Sequence, residues 1–332
     1  MGKRVLLFFS VTIIVGLSCN KSTPTGPANL GWTECEDLQG YSITGFGASG
    51  GNLIAGAYQG LSSYAYIFLS TDNGLTWKLD TAFYVQNTFR NPPLTMIPHV
   101  TLFANGTDLF AAIGGVISGS VYFSSNRGVT WSEKDTSFRE NINCIAVMGT
   151  TLFAGSGGVF RSTDNGTSWS TANTGPSAVS GLAVVGSNIF ACTEGSGIYR
   201  SNDRGANWVE VNSTDYDFHS LVTIGSNIFA GFPGGYSDGG VLKSTDNGTS
   251  WTVVDNGLTD SSVNVLFASG SNLFAGTNVG IFLSTNSGAS WMDISGGSSV
   301  DSLGAISLGL SGSYLFAGTN SNGAWRCPIS GK

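Results

Sequence analysis

"TLFAGSGGVFRSTDNGTSW" (151–169) joins an apolar phrase to a turn-rich octet, and both halves recur along the chain. The first half returns seven times, as "NLIAG" at 52, "DLFAA" at 108, "TLFAG" at 151, "NIFAC" at 188, "NIFAG" at 227, "NLFAG" at 272 and "YLFAG" at 314. The intervals are 56, 43, 37, 39, 45 and 42 residues. Most match the length of one four-stranded propeller blade, and the longest implies an insertion. The second half returns six times: "STDNGLTW" (70–77), "SSNRGVTW" (124–131), "STDNGTSW" (162–169), "SNDRGANW" (201–208), "STDNGTSW" (244–251) and "STNSGASW" (284–291). Asp, or less ideally Asn, accepts backbone N–H bonds inside a turn, and Gly adopts positive φ at little cost. The closing Trp starts the next strand and buries about 150–250 Å² against a neighbouring sheet. Six positions are thereby expected as structural staples: Asp72 with Trp77, Asn126 with Trp131, Asp164 with Trp169, Asp203 with Trp208, Asp246 with Trp251, and Asn286 with Trp291.

One blade reads directly from 141 to 173. "INCIAVMG" is its inner strand, "LFAGS" the second and "GVFRS" the third; "WSTAN" opens the outer one. The last repeat ends early. After "YLFAG" the chain gives "NGAWRCPISGK" (322–332), which supplies a third strand but no octet and no fourth strand. The missing strand is predicted at the other end. "GWTECEDLQGYSITGFGASGGNL" (31–53) matches "SWTVVDNGLTDSSVNVLFASGSNL" (250–273), with Trp32 in the place of Trp251. The expected fold is therefore all-β: a seven-bladed propeller of four-stranded antiparallel blades, closed when the N-terminal strand completes the last blade. Such closure removes the open edges of the ring.

The octet Ser-x-Asp-x-Gly-x-x-Trp resembles the Asp box (BNR repeat) of sialidases and related propellers, and the resemblance spans residues 31–332. The Gly-His and Trp-Asp dipeptides of WD repeats are missing. For sialidases the resemblance implies three arginines on the substrate carboxylate, a Tyr–Glu nucleophile and an acid/base Asp. "FRNP" (89–92) is similar to their Phe-Arg-Ile-Pro motif but follows the first box instead of preceding it. Arg127 and Arg204 lie inside boxes, while Arg161, Arg200, Arg326 and Lys243 share one repeat position. No arginine triad assembles from these. His99 and His219 lie far apart, with no nucleophile motif near either.

Composition limits the partners. Charged residues are 11% of the chain and the formal net charge is −7. No basic run is present to follow a phosphate backbone, so no nucleic-acid partner is expected. At the N-terminus, Lys3 and Arg4 precede an apolar run, Val5 to Leu17, too short for the ~20 residues of a membrane span. "GLSCNKSTPTGPANLG" (16–31) follows, and is similar to a bacterial lipoprotein signal with its tether. The expected division is a signal peptide at 1–18, a flexible tether at 19–30 and the propeller at 31–332. Cys19 would carry the lipid, placing the protein in the cell envelope, periplasmic or on the outer-membrane surface, or else outside the cell. Cys35 and Cys327 both fall in the last blade, where a disulfide would lock the ring. Register opposes it: Cys327 should face Trp32, leaving Cys35 about 10 Å away against a limit near 7 Å. Cys144 and Cys192 read as small core residues, and no metal or cofactor is expected.

Loop lengths point to one face. The connections between first and second strands are short and those between third and fourth are the octets. The expansions all fall on the opposite face, at 57–66, 78–99, 113–120, 212–219 and 232–240. They gather Tyr58, Tyr64, Tyr66, Phe83, Tyr84, Phe89, Tyr216, Phe218, Phe232 and Tyr236. Aromatics on a rigid scaffold mark binding surfaces, or else pack loops onto the fold. The expectation is a monomeric, non-enzymatic binding or scaffold propeller that recognises a protein or glycan through this face. The alternative is a sialidase-like glycan hydrolase or lyase, which would need two carboxylates about 5–10 Å apart, drawn from Asp80, Asp215, Asp217 and Asp238.

Overall fold

In the computed structural model each repeat folds into one four-stranded antiparallel sheet, and seven such sheets form the propeller. The structure describes residues 31–60, 62–85, 99–115, 118–138, 141–171, 175–234, 239–296 and 304–329. Cys19 with its signal and tether, Phe89, Tyr236 and Asp238 lie outside the described residues. Blade 3 shows the pattern: inner strand Cys144–Met148, then Thr151–Gly155, Val159–Ser162 and outer strand Ser170–Thr171, paired in that order. The second strand is buried on both faces, because a neighbouring blade covers each side. That double burial explains its continuous apolar phrase.

Blade 7 closes as the sequence predicts. Ala305–Ser311, Tyr314–Thr319 and Ala324–Pro328 pair in order, and Thr33–Glu34 adds as the outer strand. Thr33 faces Arg326 and Glu34 faces Trp325, so Trp32 falls beside Cys327. Cys35 instead donates its backbone N–H to the Ala324 carbonyl, and no disulfide joins it to Cys327.

Polar bonds stitch neighbouring inner strands together. Thr44 Oγ1 donates to Val100 O at 2.8 Å, Thr101 Oγ1 to Asn143 O at 3.0 Å and Asn143 Nδ2 to Val179 O at 2.9 Å. Ser180 Oγ donates to Phe218 O, Ser220 Oγ to Leu266 O and Ser307 Oγ to Ile43 O. The last of these crosses the seam between blades 7 and 1. Register shifts fall at Thr44 and Ser180, where a bulge turns the hydroxyl out of its own ladder toward the next blade.

The octets are hydrogen-bonded turns of one design. In blade 3, Ser162 Oγ donates to Asp164 Oδ1 at 2.8 Å and Gly166 N–H donates to Ser162 Oγ at 2.9 Å. Ser168 donates twice to Asp164, from N–H to Oδ1 at 2.9 Å and from its hydroxyl to Oδ2 at 2.6 Å. Asn165 and Gly166 both take positive φ, at 60° and 82°. Asn126 and Asn286 keep the arrangement with one bond reversed: their Nδ2 groups donate to Thr130 Oγ1 and Ser290 Oγ, each at 2.8 Å. Asn is thus a full substitute in bond number, which its sequence position did not suggest. The partner residue, Thr76, Thr130, Ser168, Asn207, Ser250 or Ser290, is always Thr, Ser or Asn, a restriction that the pattern Ser-x-Asp-x-Gly-x-x-Trp does not express.

These bonds hold three carboxylates ionised. The Ser168 hydroxyl, the Asn207 backbone N–H and the Ser250 hydroxyl lead in lowering Asp164, Asp203 and Asp246, each to about 2. Each folded pKa lies below the unfolded value near 3.9, so the stabilisation is complete above about pH 4 and is lost as pH falls through about 2. Thermal midpoints should therefore fall steeply across that window. Replacing Asp164, Asp203 and Asp246 together by Asn should flatten the fall; a variant that tracks the wild type down to pH 2 would contradict the assignment.

Candidate functional site

On the octet face, side chains of one blade reach the octet of the next. Arg200 Nη1 donates to Asn247 O at 2.9 Å, Lys243 Nζ to Ser287 O at 3.0 Å and Arg326 Nη1 to Asn73 O at 3.5 Å. In each case the acceptor is the non-glycine residue of positive φ in the next blade's octet. That is the physical reason for the repeated cation on the third strand: it caps the strained turn next door. Blade 1 has Leu69 at this position, and Asn52 Nδ2 reaches Arg127 O at 3.0 Å instead. Each octet Gly also packs against the preceding blade. A Cβ on Gly205 would lie 2.8 Å from the Phe153 ring, and one on Gly74 would overlap Phe316. These arginines and glycines thus belong to the scaffold.

The opposite face divides its aromatics into two groups. Phe218 and Phe232 are 0% and 3% exposed, and both belong to the core between blades 4 and 5. Tyr216 is half-buried and stacks on Phe232 at 4.4 Å with the planes 4° apart. Tyr58 is buried, its hydroxyl donating to Asn320 Oδ1 at 3.2 Å. Phe218, Phe232 and Tyr58 therefore pack loops onto the propeller and offer a ligand almost no surface. Loop position placed them among the candidates, but it does not determine which way a side chain turns.

Tyr64 and Tyr84 remain uncovered, at 38% and 62% exposure. They face each other across the third and outer strands of blade 1, Tyr64–Ser70 and Lys78–Tyr84. Their centroids are 5.5 Å apart with rings at 64°. Tyr64 then meets Tyr66 at 6.4 Å, Tyr66 meets Tyr41 at 5.4 Å, and Tyr41 meets buried Phe68 at 5.0 Å. The row runs from solvent into the core between blades 1 and 7. Strand length accounts for its exposure. Each of the two blade 1 strands has seven residues, while the outer strand of blade 7 beside them has two. The sheet outgrows its neighbour, and the tyrosines at its far end stay open. Tyr41 lies in the connector to blade 1, outside any repeated phrase, so no sequence signal marks it.

The described candidate carboxylates fall at two blade junctions, Asp80 at one and Asp215 and Asp217 at the other. Asp80 is half-buried against the Trp131 side chain of blade 2. Burial raises it to about 6, partly offset by a hydrogen bond from Trp131. Asp217 lies at the junction of blades 4 and 5, where its backbone pairs with that of Glu194 in an isolated antiparallel bridge, so it is not on the same junction as Asp80. Burial holds His99 below its ordinary value, and its Nδ1 lies 3.3 Å from Thr101 Oγ1. Among the described residues no group of three or more His, Cys, Asp or Glu is placed to hold a metal. An open groove of about 550 Å³ runs between Val209–Asn212 and the blade 5 octet, but Arg200 in its wall is already committed to Asn247.

No protein-family model and no curated protein sequence matches the chain. Solved structures do match in shape. "YCF48 bound to D1 peptide" superposes with a TM-score of 0.64 at 15% identity, covering 94% of this chain and 99% of that one. YCF48 from Cyanidioschyzon merolae gives 0.64 at 12% identity, over 90% and 98%. The GH74 enzyme of Niastella koreensis gives 0.63 at 15% identity over 91% of this chain, which spans 54% of that enzyme. At these identities the likeness is one of fold, and the fold is a seven-bladed β-propeller of four-stranded antiparallel blades.

Proposed function

We propose that this chain is a non-catalytic binding module of Asp-box type, and that it holds its partner on the tyrosine shelf of blade 1. Its envelope location rests on the export signal and Cys19 read at the N-terminus. The observation that carries the binding reading is the pair Tyr64 and Tyr84, left open side by side at the end of a four-stranded sheet. A tyrosine brings a large apolar face with few rotamers to freeze, and it keeps a hydroxyl for a hydrogen bond. The likeness to a peptide-bound YCF48 is compatible with a protein partner, and the likeness to a GH74 xyloglucanase from Xanthomonas campestris with a sugar one. Asp80, raised by burial to about 6, favours a hydrolase, since a carboxyl titrating there suits a general acid.

The test is an array of glycans and envelope proteins probed with the wild type and with Tyr64→Ser/Tyr84→Ser. Each ring is worth about 1 kcal/mol or more as an anchor, so the double variant should bind at least about tenfold more weakly. Its stability should change by less than about 1 kcal/mol, because both side chains are surface groups. Binding untouched by the double variant, or turnover of any arrayed glycan, would overturn the proposal.

A further inference from the structure

We infer that the shelf takes a neutral glycan chain, with sugar rings laid against Tyr64 and Tyr84; this rests on the reading of the shelf as the binding surface. Three observations select this occupant.

The first is chemistry. The neighbouring polar atoms are hydroxyls: Ser62 Oγ lies 3.4 Å from Tyr66 OH and accepts the Tyr64 backbone N–H at 3.1 Å. Among the described residues, the cations that lie over aromatic rings sit on Phe123, Phe229 and Tyr314, away from the shelf. A surface of apolar faces edged with hydroxyls suits a ligand that is itself apolar on one face and hydroxylated at its rim. A sugar ring has that character and needs no counter-charge.

The second is shape. The rings stand on a sheet, with centroids 5.5 Å apart between Tyr84 and Tyr64 and 6.4 Å between Tyr64 and Tyr66, and Leu79 lies exposed further along the outer strand. An open row of this kind accepts an internal stretch of a polymer.

The third concerns the rival occupants. A seven-residue outer strand would ordinarily invite an extended peptide or a second copy to add as a fifth strand. Here the ladder shifts register between Ile67 and Phe68, leaving Asp80 outside the regular pairing midway along Lys78–Tyr84. A bulge at that point, with Lys78 and Asp80 on the same strand, blunts the edge against strand addition.

The experiment is a titration of the whole propeller, followed by calorimetry and by tyrosine ring resonances. The probes are neutral hexasaccharides of β-linked glucose, xylose and mannose, an acidic oligogalacturonate, and an uncharged extended peptide. At least one neutral hexasaccharide should bind at millimolar concentration or below. Tyr64→Ser/Tyr84→Ser should weaken it at least about tenfold, while Tyr64→Phe/Tyr84→Phe should stay within about threefold of the wild type. The inference fails if no neutral hexasaccharide binds at millimolar concentration, or if the serine variant binds it equally well. Tyrosine-dependent binding of the peptide alone would also overturn it, while leaving the shelf as a binding surface. Cleavage of a bound hexasaccharide would contradict the non-catalytic function and leave the ligand class standing.

Discussion

Trp32→Ala should lower the unfolding free energy by about 3–5 kcal/mol, the cost of removing a large aromatic side chain from a packed core. Trp32 is 8% exposed and packs among Leu283, Ile294, Leu308 and Leu315. Its indole N–H donates to Ile294 O at 2.9 Å, so truncation also leaves a carbonyl without that donor. The strand it anchors is short, with two register pairs, Thr33 to Arg326 and Glu34 to Trp325. Cys35 N–H on Ala324 O and buried Leu38 still hold the segment that follows, so the loss of the indole loosens the strand mainly on its blade 6 side. Trp208→Ala is the matched control. Trp208 is equally buried, but its strand, Val209–Asn212, follows directly from its own blade's octet. Guanidinium unfolding should show a lower midpoint for Trp32→Ala with little change in slope. A loss below about 1 kcal/mol would mean that the N-terminal strand does not hold the ring closed.

Phe316→Ala should cost about as much, 3–5 kcal/mol, at the other side of the same blade. The ring is fully buried, 6.1 Å from Trp77 at 86° and 5.9 Å from Phe46. It fills the space that Gly74 leaves by having no Cβ, and so joins blade 7 to the blade 1 octet. Arg326 and Ser307 cross the same seam by hydrogen bonds to Asn73 O and Ile43 O. Those polar contacts fix geometry, while the aromatic group supplies most of the burial. Trp32 packs toward blade 6 and Phe316 toward blade 1, so the two losses should add to within about 0.5 kcal/mol if the faces are independent. Chemical denaturation of the two single variants and the double variant measures this. A Phe316→Ala loss of less than about 1 kcal/mol would show that the seam does not depend on that ring.

The fold was legible because each local signal repeats in phase. The match of Trp32 to Trp251 located the closing strand, and the observed pairing of Thr33 with Arg326 has the register it implied. The repeated cation at Arg200, Lys243 and Arg326 was visible as a pattern, yet its partner was not, because that partner is a backbone carbonyl one blade away. The candidate site was legible only in part. Tyr64, Tyr66 and Tyr84 were marked by loop position, as were Phe218 and Phe232, which the core absorbs. What separates them is the mismatch between the long outer strands of blade 1 and the short one of blade 7. That mismatch arises between the two ends of the chain and leaves no local trace in either.

Hydrogen–deuterium exchange, with and without the strongest ligand returned by the arrays, tests most directly the claim that the octets stabilise and the shelf binds. Protection should appear at 62–66 and 78–85, with exchange at the six octets unchanged. Protection centred on the octets, with none at Tyr64 and Tyr84, would contradict it.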